Sequence, residues 1–243
     1  MPLQTKLNYL TNRELFSNYY LENLLPETDR WQDIDEKKLK STYENIKEIY
    51  EKNEEYVDTF SEDFLEDKII RPIFKELGLF YGTREKVEDR QRFPDYGLFE
   101  SEEALNKAYK EKDEKGFYKN SITIGEAKKW GRNLDKRGGV RDFTNPSHQV
   151  YVYQQETSVA WAILTNGKEW RLYFSKTSHK LDSYYEIDLP TLLNSVEKES
   201  FEIFKYFFLF FRKKAFIKDK SGKSFLDKIF DRSHIFSREL GEN

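Results

Sequence analysis

Apolar positions recur three and four apart over residues 36–56, where Leu39, Tyr43, Ile46, Ile49 and Tyr50 form the stripe of a long helix. Residues 12–20 mix Leu, Phe and Tyr at the same spacing and read as an earlier helix. Another begins near Ser61, where a serine followed by acids offers N-cap chemistry, and runs through Leu65, Ile69, Ile70 and Ile73 to a glycine stop at Gly78. Pro72 inside it predicts a kink or a break. After Gly78 the pattern shortens. Residues 79–83, 94–99 and 121–128 read as strands, the last with Ile122 and Ile124 at period two. The charged stretch 100–116 between them reads as a partly helical insertion.

Asn145-Pro146 opens a helix to about residue 157, with asparagine as cap and proline in the first turn. Residues 159–165 are an apolar strand, Asn166-Gly167 is a hairpin signal, and 170–174 is the return strand. Residues 184–189 predict one more strand, and 192–214 and 225–240 predict helices. Phe201–Phe211 is apolar on nearly every face and reads as a buried helix over the sheet rather than a partner surface. The order predicts an α/β core with helical flanks at both ends.

Composition narrows the class. Aromatics make up 16% of the 243 residues, far more than a disordered chain carries. With no cysteine, disulfides, thiolate zinc sites and cysteine nucleophiles are excluded. His148, His179 and His234 are scattered without ligand spacing. The longest apolar run, Tyr206–Phe211, is far short of the roughly 20 residues that span a bilayer. No apolar segment of a secretory signal is visible near Met1, so a cytoplasmic protein without a membrane is expected.

The formal net charge of −3 hides a split. Residues 1–70 carry −8, while 128–141 holds six basic residues against one acid. A second basic cluster comprises Arg212, Lys213, Lys214, Lys218, Lys220 and Lys223. Basic patches on a near-neutral chain suit a polyanion docked on one face, although a solvated face is the commoner origin of such a cluster.

The chemistry concentrates in Pro94-Asp95 and Glu126-Ala127-Lys128. Alternate residues of a strand share a face, so Glu126 and Lys128 project together, and Asp95 opens a neighbouring strand. Two carboxylates and an ammonium at one end of a sheet suit phosphodiester hydrolysis. Carboxylate oxygens hold Mg²⁺, the metal polarises the phosphate, and the lysine positions water and offsets developing charge. The acid-x-lysine spacing also occurs at Asp35, Glu36, Glu66 and Asp113, but in helical or loop-like sequence where the two side chains diverge. Gln149 and Tyr153 share a helix face, and Glu66 sits on the helix before the sheet.

These motifs resemble the PD-(D/E)xK nuclease superfamily. More closely, the chain is similar to the N-terminal cleavage domain of type IIG restriction–modification enzymes. The similar stretches are 12–17, 66–72 with Leu77-Gly78, 126–132, 145–149, Leu164-Thr165-Asn166-Gly167 with Trp170 and Tyr173, and Ser224-Phe225-Leu226-Asp227. The resemblance implies a restriction-endonuclease-like core at 61–190, with a helical region at 1–60 packed on it. Residues 191–243 would form a second helical region that starts a connector to further domains.

It also implies a Mg²⁺-dependent DNA endonuclease. Asp95, Glu126 and the Ala127 carbonyl would hold the metal, Lys128 would be the catalytic lysine, and Glu66 would be the helix acid near the metal. Gln149 and Tyr153 would shape the site. Lys129, Arg132, Lys136, Arg137 and Arg141 would follow the DNA backbone. The implied partners are double-stranded DNA, methyltransferase and target-recognition domains in the same or a partner chain, and a second copy in a transient dimer for double-strand cleavage. Residues 100–120 depart from the family pattern, and the methyltransferase's Asn-Pro-Pro-Tyr motif is missing, which implies a subunit or a portion of such an enzyme. A repair or junction nuclease of the same fold, and a non-catalytic DNA-binding or scaffold module, are the alternatives.

Overall fold

The computed structural model describes residues 9–83, 93–135, 144–195 and 199–239, the side chains of 199 and 236–239 excepted. Its centre is a mixed sheet of seven strands: β1 Leu10–Arg13, β2 Phe80–Gly82, β3 Tyr96–Phe99, β4 Thr123–Ala127, β5 Trp161–Thr165, β6 Glu169–Phe174 and β7 Tyr184–Asp188. The spatial order is β1-β7-β6-β5-β4-β3-β2. β4 and β5 pair in parallel, and the other neighbouring pairs are antiparallel. A parallel pair needs a crossover, and a helix at Pro146–Thr157 supplies it.

The helices are α1 Glu36–Glu51, α2 Glu62–Leu65, α3 Arg71–Glu76, α4 Glu102–Ala108, α5 Glu114–Lys119, α6 Pro146–Thr157, α7 Leu189–Asn194, α8 Glu199–Phe211 and α9 Phe225–Glu239, together with other short helical segments such as Asp29–Gln32. They flank the sheet, which makes this a mixed α/β fold. Alternation along the strands sorts the core into two layers. Trp161, Ile163, Trp170, Leu172, Tyr185 and Ile187 meet α1, α3 and α8. Ile124, Ala162, Leu164, Tyr173 and Tyr184 meet α4, α5 and α6. Among the described residues no helix is long and apolar enough to cross a membrane.

Most expected elements form, and their caps explain why. Asp35 accepts the Lys38 N–H at the start of α1, Ser61 accepts that of Phe64 at α2, and Asn145 accepts that of Ser147 at α6. Three expectations are corrected. Residues 12–20 are not one helix, because β1 occupies Leu10–Arg13 and pairs with β7. The reason is the Asn12 side chain, which donates to the Phe16 carbonyl at 2.7 Å and accepts the Phe16 N–H at 3.2 Å, folding the chain into a turn. Glu14 inside that turn has φ 54°, which no right-handed helix allows.

Residues 192–214 are two helices rather than one. Asp188 caps α7 by accepting the Thr191 N–H, and Ser195 ends it in extended backbone. Residues 36–56 are helical only to Glu51. The stretch around Pro72 is divided, as expected, into α2 and α3, with a π-helical segment at Glu66–Ile70 joining them and the proline in the first turn of α3.

Candidate active site

β3 and β4 run antiparallel with Tyr96 opposite Gly125, so Asp95 continues the register opposite Glu126. Directly opposed residues of such a pair project from the same face. The Asp95 N–H donates to Glu126 Oε2 at 3.2 Å, and the Ala127 N–H donates back to Asp95 Oδ2 at 2.9 Å. Two residues on, Lys128 fixes its backbone by donating to the Thr165 carbonyl at 2.8 Å, and its Nζ donates to Glu126 Oε1 at 2.5 Å. The structure therefore brings Asp95, Glu126 and Lys128 together at the end of β4.

Glu126 is only 4% exposed. Burial first, then the charge of Asp95, pushes its carboxyl up to about 8, with Lys128 opposing both. Asp95 is half-buried and reachable from solvent.

Tyr153 on α6 joins this group. Its hydroxyl is held well above the ordinary tyrosine value by burial, followed by the charges of Glu126 and Asp95. The phenol therefore stays protonated, a fixed donor facing carboxylates. One helical turn earlier, Gln149 is half-buried, and its Oε1 finds no hydrogen-bond partner among the described residues. An orphaned buried acceptor is costly unless a ligand or water completes it.

Glu66 comes from the opposite face of the sheet. It accepts from the Tyr96 hydroxyl and pairs with Arg71 at 3.3 Å, so it stands beside the three residues rather than bonded to them. Burial raises its carboxyl above the ordinary range, and the charge of Asp95 adds to the rise.

The segment after Lys128 is pinned along its length. The Lys129 N–H donates to Glu62 at 2.9 Å, Asn166 donates to the Arg132 carbonyl at 2.8 Å, and Ser147 donates to the Leu134 carbonyl at 3.1 Å. Lys129 and Arg132 are exposed, and the Arg132 guanidinium donates to the Thr144 carbonyl at 3.2 Å. Lys136, Arg137 and Arg141 lie outside the described residues. The hairpin glycine beneath this segment is obligatory: Gly167 has φ +79°, and a Cβ there would meet Leu65 at 2.9 Å and Trp130 at 3.1 Å.

Two contributions were not foreseen. The stretch 100–120 is partly helical and mostly exposed, as its charge suggests, but Ala108, Phe117 and Tyr118 anchor it in the core. Tyr118 donates to the Pro94 carbonyl at 2.7 Å and stacks on Phe93, bracing the residues on either side of the turn into Asp95. The two aromatics in a row, Phe117-Tyr118, were the available signal.

The second contribution is a buried charge network beside the acids. In register across the sheet stand Glu126, Leu164, Arg171 and Glu186. Arg171, 2% exposed, bonds Glu186 and Asp135 and lies 4.0 Å from the Tyr184 ring. It ties the segment that follows Lys128 to the sheet.

Among the described residues no group of three or more His, Cys, Asp or Glu side chains assembles to hold a metal. The donor set is two carboxylates, one desolvated and both facing the same space. That matches what Mg²⁺ takes from a protein, one or two carboxylates with water and substrate phosphate filling the rest. Comparison with protein-family models, curated proteins and solved structures finds no match.

Proposed function

We propose that the chain is a Mg²⁺-dependent DNA endonuclease of restriction-endonuclease-like fold, with Asp95, Glu126 and Lys128 as its catalytic residues. The observation that carries this reading is the cross-strand pairing of Asp95 with a buried Glu126 that also holds Lys128. Burying one carboxylate against another costs stability, and such costs concentrate at sites of chemistry. A scaffold has no use for the arrangement.

Bound between Asp95 and Glu126, with the Ala127 carbonyl as third donor, Mg²⁺ would supply Lewis-acid polarisation of the phosphate and a more acidic water. The chain supplies the rest. Asp95 is held in place by the Ala127 N–H, and Glu126 orients Lys128. The Lys128 ammonium can exchange Glu126 for a phosphate oxygen and neutralise charge that develops there. Tyr153 donates toward the carboxylates, and the unsatisfied Gln149 oxygen accepts from water or substrate. Exposed Lys129 and Arg132 stand where the DNA backbone would pass, with Lys136, Arg137 and Arg141 continuing that path. Sequence reading and methylation fall to partner domains, and double-strand cleavage to a transient pair of such sites.

The test is supercoiled plasmid incubated with the chain and any companion subunits, with Mg²⁺ or with chelator. Wild type is expected to nick or linearise it only with Mg²⁺. Asp95→Ala and Lys128→Ala should each lower the rate about 10²–10⁴-fold. Equal cleavage by wild type and both variants would defeat the assignment, and cleavage confined to branched DNA would turn it into a junction nuclease.

A further inference from the structure

The second basic cluster has no place in the catalytic proposal. Part of it lines a cavity of about 230 Å³ between Tyr20, Arg30, Lys214, Phe225, Lys228 and Arg232. Asp29, Asp219 and Lys223 also border it. Lys228 is neutralised by Asp219, and Lys223 by Asp231. Arg30, Lys214 and Arg232 form no ion pair among the described residues.

Arg212, two residues before Lys214, is a further cation of this region, although it does not line the cavity. Its Nε is buried without a hydrogen-bond partner. Burial first, and then the charge of Arg30, pulls its guanidinium down to about 10. Arg30 thus acts on Arg212 as well as lining the cavity with Lys214 and Arg232, and like charges gathered this way repel one another. An anion in the cavity, between Arg30, Lys214 and Arg232, would offset that repulsion. Guanidinium forks match phosphate oxygens two at a time.

The cavity is distinct from the candidate active site. Ile217 on its wall also borders an adjoining cavity lined by Ile122 and Trp161, where β4 and β5 begin. Glu126 and Lys128 stand at the other end of β4. Ile122 lies four positions before Glu126, roughly 13 Å at the usual strand rise. None of Asp95, Glu126 and Lys128 lines the cavity.

Size and lining narrow the ligand. At about 230 Å³ and partly open, the cavity lies near the small end of ligand sites, which begin at roughly 300 Å³. Buried Tyr20 and half-buried Phe225 give it an aromatic wall beside the cationic one. We propose that it is a binding site for a phosphate monoester of nucleoside-monophosphate size, held by Arg30, Lys214 and Arg232. This inference does not rest on the nuclease reading.

Titration calorimetry of the full chain, without divalent metal, tests it with two probes: inorganic phosphate and adenosine monophosphate. Arg30 and Arg232 are exposed, so Arg30→Gln and Arg232→Gln should keep the wild-type melting temperature. Wild type is expected to bind both probes at one saturable site, the nucleotide more tightly. Each arginine variant should bind at least about tenfold more weakly, the loss of roughly one charge-assisted hydrogen bond, and Asp95→Ala should bind as wild type does. The proposal falls if neither probe saturates, if binding survives both arginine substitutions, or if Asp95→Ala abolishes it. It falls equally if only a short DNA duplex binds through Arg30 and Arg232, which would make this face part of a nucleic-acid track.

Discussion

Trp170 and Arg171 are neighbours on β6 and face opposite layers of the molecule. Trp170 is fully buried against Phe74, Phe207 and Phe211, ring edges to ring faces, and its indole N–H donates to the Tyr50 hydroxyl at 3.1 Å. Arg171 is as deeply buried, but its neighbours across the sheet are Glu186 on one side and, past Leu164, Glu126 on the other. One layer derives its stability from apolar area and aromatic packing. The other carries charges whose desolvation their pairing must offset. The difference shows how a single strand can anchor a fold with its even-numbered residues and carry buried charge with an odd one.

That contrast can be broken from either side. Trp170→Ala should cost the most, about 3–5 kcal/mol from lost burial and the cavity left behind. Thermal unfolding would read this as a fall of roughly 10 °C for a chain of this size. A loss under about 1 kcal/mol would mean the apolar layer is not what holds the sheet. Arg171→Met should cost about 3 kcal/mol, because it strands Glu186 in a buried site. The double variant Arg171→Met/Glu186→Met should recover most of that loss. No recovery would show that the network acts through Asp135 and the segment after Lys128 rather than through the pair.

The smallest effect concerns pH. Burial, then the charge of Asp95, holds the Glu66 carboxyl above its ordinary value. A raised folded value means that Glu66 binds its proton more tightly in the folded chain. Its contribution is complete below the ordinary carboxylate value and is lost as pH rises through the folded one. Glu66→Gln removes that dependence, so its melting temperature should fall less than that of wild type between about pH 5 and pH 8. Parallel curves would show that Arg71 and Tyr96 compensate the charge completely.

What could be read from sequence was whatever a few adjacent residues decide. Asn145-Pro146 announced α6, Asn166-Gly167 announced the β5–β6 turn, and Ser61 announced α2, because caps and tight turns are local chemistry. Asp95, Glu126 and Lys128 were recognisable because strand period and a short motif coincide. β1 was not, since its strand state depends on β7, and its own residues carry helix-like spacing that the Asn12 side chain overrides. Arg171 and Glu186 were equally hidden, as only the register of β5, β6 and β7 sets them beside Glu126. The start of α7 was missed although Asp188 and Pro190 carried the cap-and-proline signal.

The pairing of Leu10 with Ile187 has a consequence for how the protein is made. On a ribosome extending at about 5–20 residues per second, Leu10 waits roughly 10–35 s before its partner exists. Closing so long a loop is slow, and β1 is among the last parts able to dock. Until it does, the outer edge of β7 presents unpaired N–H and C=O groups to any other nascent strand. The vulnerable interval of this chain is therefore set by the clock of synthesis, and the strand that ends it is the earliest made of the seven.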